Sequence, residues 1–180
     1  YDVKIAFSND KGNSWSPAII PHTDGVSAEH GFVSMLPTPY GKTFAVWLDG
    51  RNTKRDTNNA MTLRTAEVDE NGNISAEEEI DNRVCDCCQT GSVWTDKGPI
   101  VVYRDRSKDE IRDISIVRKV EGEWTSPKPL IKDNWKIAGC PVNGPSISSD
   151  GSKVVVAWFT MSEDVPKVYT SISHDYGASF

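Results

Sequence analysis

An all-β fold of repeated four-stranded units is predicted by three observations. First, helix signals are close to absent: Gly, Pro, Asn and Asp interrupt the chain about every 8 to 15 residues. Second, short β-branched and aromatic runs lie between those breaks, among them TFAVWL, PIVVYR and KVVVAWF. Third, the runs recur. YGKTFAVWLDGR, DKGPIVVYRDRS and DGSKVVVAWFTMS share a turn glycine, a β-rich run and a polar loop, with Trp47, Tyr103 and Trp158 in register at intervals of 56 and 55 residues. Four short strands fit in such a period. A four-stranded unit cannot bury both faces alone and must stack on its own copies, which is the physics of a β-propeller blade. A β-sandwich also has short strands and turns, but it gives no reason for an internal repeat of this length.

In chain order, YDVKIAFS reads as a strand, SNDKGNSW as a turn and SWSPAII as the returning strand, so residues 1–20 supply the third and fourth strands of one unit. Two complete units follow at about 31–81 and 88–131, the second closing on EWTSPKPLI, which matches SWSPAII. Residues 144–180 supply the first three strands of another unit and end on SHDYGASF.

Bulk properties exclude several functions. The net charge of −6 speaks against a broad nucleic-acid footprint and leaves no basic patch for a membrane surface. VVVAWF is the longest apolar run, far short of the roughly 18 residues of a membrane helix. No leader is legible in the opening strand, and no motif calls for a metal or a cofactor.

SNDKGNSW and SHDYGASF share the pattern Ser, Asp, Gly and a terminal aromatic: Ser8, Asp10, Gly12 and Trp15, then Ser173, Asp175, Gly177 and Phe180. The glycine can take positive φ, Asp and Ser can bond turn amides, and the aromatic is expected to bury beside the hairpin. Nothing in this pattern requires catalysis. EVDENGNIS and VRKVEGEW read as degenerate copies that keep the glycine and lose the Asp–Ser pair.

These residues resemble the Asp-box (BNR) repeat of sialidase-like β-propellers, and VWLDGRN with TLRTAEVDENGNIS resembles a blade of that family. The resemblance implies a six-bladed ring, roughly 330 residues at this period. The present sequence is expected to be part of such a ring, completed by the rest of a longer chain or by a second copy. It also implies an exported protein (secreted, periplasmic or on the cell surface) that binds glycan or an acidic sugar.

Propeller topology sorts the loops. The boxes lie on one face, and ligand sites lie on the other, among the loops 22–31, 48–59, 81–88, 104–110, 133–144 and 160–167. That face is expected to gather Arg51, Arg55, Asp56, Arg83, Arg104, Asp105, Arg106 and His30. A guanidinium fork binds a carboxylate bidentately, so Arg51, Arg104 and Arg106, with Asp105 beside them, are candidates for the substrate carboxylate. By the family resemblance, Asp56 is the candidate acid/base. The bland reading is a salt-bridged loop surface, favoured for Arg112 and Asp113.

All four cysteines fall in two corresponding entry loops, Cys85, Cys87 and Cys88 in VCDCCQTGSV and Cys140 in GCPVNGPSI. Superposing the units with Val93 on Ile147 makes them neighbours. A disulfide from Cys140 to one of the other three suits an exported protein. C-x-C-C lacks the usual zinc spacing and its adjacent pair strains a tetrahedral site, which favours a disulfide over a metal, with a free functional thiol as the third reading. Two functions stay open: a glycoside hydrolase acting on acidic sugars, and a non-catalytic propeller that binds glycan or protein through the same face.

Overall fold

The structure is a computed structural model that describes residues 1–54 and 59–180. The all-β expectation holds, with three antiparallel sheets in chain order. The first comprises β1 (His30–Pro37), β2 (Thr43–Asp49), β3 (Met61–Val68) and β4 (Ile74–Val84), each paired with the next. The second comprises β5 (Gly91–Thr95), β6 (Gly98–Arg104), β7 (Ile114–Val120) and the short β8 (Glu123–Trp124), with β9 (Lys128–Pro129) also pairing with β7. The third holds β10 (Ser146–Asp150), β11 (Lys153–Thr160) and β12 (Lys167–Ser173). Residues 1–20 add a looser hairpin, pinned where Ile5 bridges Ile19.

Period-two alternation stacks the sheets. On β2, Phe44, Val46 and Leu48 face the second sheet and meet Val101, Tyr103 and Val117, while Ala45 and Trp47 face Val3 and Ile5 of the N-terminal hairpin. On β6 the two faces divide again. Val101 and Tyr103 point to the first sheet; Ile100 and Val102 point to Val154, Val156 and Trp158 of β11. Middle strands buried on both faces must be apolar throughout, which is why they read as continuous runs. Trp47, Tyr103 and Trp158 each point toward the preceding unit, so the sequence period is a packing period.

β5 lies beside both β1 and β10, bringing the first strands of the three sheets together. Ser34 Oγ meets Ser92 Oγ at 3.1 Å, and Thr90 donates to the Phe32 carbonyl at 2.8 Å. Just before the third sheet, the chain passes the Gln89 backbone at Gly144, where a Cβ would sit 1.9 Å from the Gln89 carbonyl oxygen, so only glycine fits.

The two boxes form the same turn. Asp10 accepts from the Ser14 amide (2.8 Å), the Ser14 hydroxyl (2.6 Å) and the Ser8 hydroxyl (2.9 Å), while Ser8 Oγ accepts from the Gly12 amide. Asp175 is held in the same way by Ser173 and Ser179. The Ser14 hydroxyl, then its amide and the Ser8 hydroxyl, hold the Asp10 carboxyl down at about 2. Two expectations need correction. Trp15 does not bury beside its hairpin but is 65% exposed, whereas Phe180 packs on the core between the second and third sheets. The copy EVDENGNIS has not lost its acceptor: Asp69 takes the Asn71 and Asn73 amides and the Asn73 side chain. The missed signal was Asn standing in for Ser four residues after the Asp.

Candidate functional site

Four of the loops expected on the ligand face converge on one polar cleft of about 530 Å3. Glu29 comes from the loop before β1; Thr53 and Lys54 belong to a 3-10 turn after β2 (Arg51–Lys54); Asp86 follows β4; Arg106 follows β6. Backbone bonds hold these loops in place. Gly50 donates to the Glu29 carbonyl at 2.7 Å, and Cys85 to the Arg104 carbonyl at 3.1 Å, extending β4 along the start of the 104–110 loop. The 104–113 loop closes on itself through Ser107 N to Ile111 O (2.9 Å) and Asp105 N to Asp113 O (2.9 Å).

The expected carboxylate-binding arginines separate by environment. Arg106 reaches the cleft wall. Its Nη1 donates to both Asp86 oxygens (3.2 and 3.0 Å), and its Nε and Nη2 donate to Glu110 at 3.0–3.2 Å. Arg104 turns inward and is 1% exposed, donating to the carbonyls of Asn143 (2.9 Å), Arg112 (2.6 Å) and Phe159 (2.8 Å) over the Trp135 ring. Arg104 therefore ties three segments together. Arg51 is likewise buried, gripping Asp49 through Nε and Nη2 (both 2.8 Å), Asp24 at 2.9 Å and Glu77 at 2.8 Å. Burial pulls the Arg51 guanidinium down, but Asp49 and Glu77 outweigh it and raise it. Asp105 accepts from the Arg106 amide (2.6 Å) and the Ser115 hydroxyl (3.0 Å), and burial pushes its carboxyl up. Its neighbour Asp81 accepts from Tyr103 Oη at 2.6 Å. Burial, with the Asp105 charge beyond it, pushes Asp81 up to about 6 against the Tyr103 hydrogen bond. Asp56 and Arg55 lie outside the described residues.

Behind the cleft wall, two guanidinium groups of the 104–113 loop and one from β4 meet one carboxylate. Glu110 receives Arg106, Arg112 Nη2 at 2.8 Å, and Arg83 of β4 at 3.6 Å. Arg106 first, then Arg112, hold Glu110 below the usual carboxylate range despite some desolvation. Arg112, expected to be an edge ion pair, is therefore a member of this cluster.

The cysteines also meet. Cys87 and Cys140 form a disulfide across 53 residues, which selects one of the pairings left open by the sequence. Cys85 and Cys88 remain as buried thiols with sulfurs 3.2 Å apart, and Arg112 Nη1 lies 3.2 Å from Cys85 Sγ. These two are themselves spaced C-x2-C, a relation hidden when the run is read as C-x-C-C. The Cys88 thiol as donor, with the Cys87 amide and Arg112, brings Cys85 down to about 6 in spite of burial, while Cys88 is pushed up.

A second polar cluster was only partly anticipated, through His30. His22 and His30 stack with ring centroids 3.9 Å apart, among Asp2, Asp24 and Asp49. The signal was two histidines and an aspartate within one entry loop, HTDGVSAEH.

No protein-family model matches the chain, and no curated protein matches it. Among solved structures, a protein of unknown function from Dyadobacter fermentans DSM 18053 superposes with a TM-score of 0.66 at 17% identity, covering 95% of this chain and 45% of that one. A β-1,2-mannobiose phosphorylase from Listeria innocua, in complex with β-1,2-mannobiose, superposes with a TM-score of 0.53 at 11% identity, covering 96% of this chain and 50% of that one. At such identities the likeness is one of fold. The chain spans about half the length of either neighbour.

Proposed function

We propose that the chain is the ligand-bearing part of an exported, carbohydrate-active propeller that recognises an acidic glycan at the Arg106 cleft. The observation that carries this reading is the convergence of Arg83, Arg106 and Arg112 on the Glu110 carboxylate. Three guanidinium groups around one carboxylate, Arg106 gripping it through two nitrogens, form a site chemically suited to a sugar carboxylate, with Glu110 occupying it when no ligand does. The likeness to a glycoside phosphorylase supports a sugar as ligand, since folds of this kind house glycoside chemistry, although fold alone does not fix function. The Cys87–Cys140 disulfide is compatible with an extracellular location. Among the described residues no helix is long and apolar enough to cross a membrane. Further units of the ring would come from additional sequence or a second copy.

Calorimetric titration with sialyllactose, with neutral lactose as control, tests the reading. Sialyllactose binds and lactose does not; Arg106→Ala weakens binding about 10- to 100-fold; Glu110→Gln, which removes the internal competitor, tightens it. Equal binding of both sugars would overturn the proposal, as would weakening by Glu110→Gln or binding of inorganic phosphate alone at these arginines. Cleavage is a separate question. If the protein is a hydrolase with Asp56 as acid/base, Asp56→Ala abolishes release from a fluorogenic sialoside and spares binding. Binding without turnover in the wild-type protein identifies the non-catalytic alternative.

A further inference from the structure

We propose that Asp2, His22 and His30 form a binding site for a divalent transition metal of the zinc class, apart from the arginine cleft.

Hydrogen-bond direction supplies the first argument. His22 Nδ1 meets Asp24 Oδ1 at 3.3 Å and His30 Nε2 meets Asp24 Oδ2 at 3.1 Å, both in hydrogen-bonding geometry. A carboxylate only accepts, so each ring gives its N–H to Asp24. That fixes both tautomers and leaves lone pairs on His22 Nε2 and His30 Nδ1. Neither nitrogen has a hydrogen-bond partner, although His22 is 8% and His30 0% exposed. Both lie near the same atom, Asp2 Oδ1, at 3.6 and 3.2 Å, without forming a hydrogen bond to it. Two buried lone pairs beside a carboxylate oxygen, with no donor to satisfy them, leave an electron-rich site that a cation would satisfy. Protonating one ring would add a buried N–H with no acceptor in hydrogen-bonding geometry, and protonating both would stack two imidazolium cations 3.9 Å apart.

Distance supplies the second argument. The three ligand atoms all lie within 4.8 Å of one another. A tetrahedral ion with bonds of about 2.0–2.1 Å sets its ligands roughly 3.4 Å apart, close to both separations from Asp2. Two imidazoles and a carboxylate suit zinc, iron or nickel and not the all-oxygen shell of calcium.

The surroundings supply the third. Asp24 orients both rings through their far nitrogens, the carboxylate–histidine arrangement usual behind metal ligands. Asp24 is itself fixed by the Val26 amide at 3.1 Å and by Arg51 at 2.9 Å. Asp2 and His22 line a solvent cleft of about 480 Å3, giving an ion a route in and room for a further ligand. Tyr1, Ser27 and Ala28 line this cleft and the arginine cleft alike, so the two sites adjoin.

The test is calorimetric titration of zinc sulfate into chelator-dialysed protein, with a Co2+ absorption spectrum and 15N spectra of the histidine rings. One equivalent of zinc binds, shifting the His22 Nε2 and His30 Nδ1 resonances, and Co2+ gives d–d bands without thiolate charge transfer. His22→Ala and Asp2→Asn each weaken binding at least 10-fold. Asp2 is 40% exposed at its side chain, so Asp2→Asn leaves the fold intact and separates ligand loss from misfolding. A Cys85→Ser/Cys88→Ser variant keeps full zinc affinity. No zinc uptake, a thiolate–cobalt band, or ring resonances of two imidazolium groups indifferent to zinc would each overturn the proposal.

Discussion

Replacing Arg104 tests whether a buried arginine holds this face together. Its guanidinium donates to three carbonyls from three separate segments, Asn143, Arg112 and Phe159, and stacks 4.9 Å over Trp135. Arg104→Ala leaves those carbonyls without their donor and opens a cavity at a site 1% exposed. Each orphaned group costs about 1–3 kcal/mol and truncation of a long side chain adds a packing loss. Relief of the buried charge offsets part of this, since burial holds the Arg104 guanidinium below its ordinary value. The net is about 3–5 kcal/mol, against a typical domain stability of about 5–15 kcal/mol. At a urea slope of about 2 kcal/mol/M, the unfolding midpoint falls by about 2 M. Arg104→Met keeps the apolar stem and recovers about 1 kcal/mol of packing. Arg104→Lys recovers little, because one ammonium cannot span three carbonyls. Urea unfolding followed by tryptophan fluorescence reads the loss, with Trp135 as a local reporter. A cost below about 1 kcal/mol, coupled with lost glycan binding, would refute this reasoning and make Arg104 a ligand group.

Two further predictions concern the loop cluster and the acid buried beneath it. Replacing Cys87 and Cys140 by Ser opens a loop of 53 residues, which on chain-entropy grounds costs about 4 kcal/mol; thiol titration of the unfolded, unreduced wild-type protein should find two free thiols, and four would refute the pairing. Asp81, raised to about 6 from an ordinary 3.8, binds its proton more tightly in the native state. Its stabilising contribution is therefore complete below the ordinary value and disappears as pH rises through about 6. Between pH 4 and 7 the wild type loses up to about 3 kcal/mol relative to Asp81→Asn, and parallel urea midpoints for the two proteins would contradict this.

Much of the architecture was legible because it is local or periodic. Each box is closed by bonds between residues two to four apart, so Ser8, Asp10 and Gly12 specify their turn without help from the rest of the chain. The 55-residue register of Trp47, Tyr103 and Trp158 works because each fills the same place between neighbouring sheets. The face that gathers the charged loops was legible as loops but not as side chains. Arg104 and Arg106 stand two apart in RDR and looked equivalent, yet one bonds three interior carbonyls and the other the cleft wall. That difference arises where β6 ends at Arg104 and the chain turns into the 104–113 loop.

By itself, the sequence determined the strands, the turns and the face on which charge would gather, because alternation and turn chemistry act within a few residues. Only the tertiary structure decided that Arg83 joins the loop arginines at Glu110, that Cys87 pairs with Cys140, and that two histidines stack beside Asp2. Those relations depend on how sheets and loops from distant parts of the chain approach one another, and on burial, which sets the charge and bonding of a group only once its neighbours are in place.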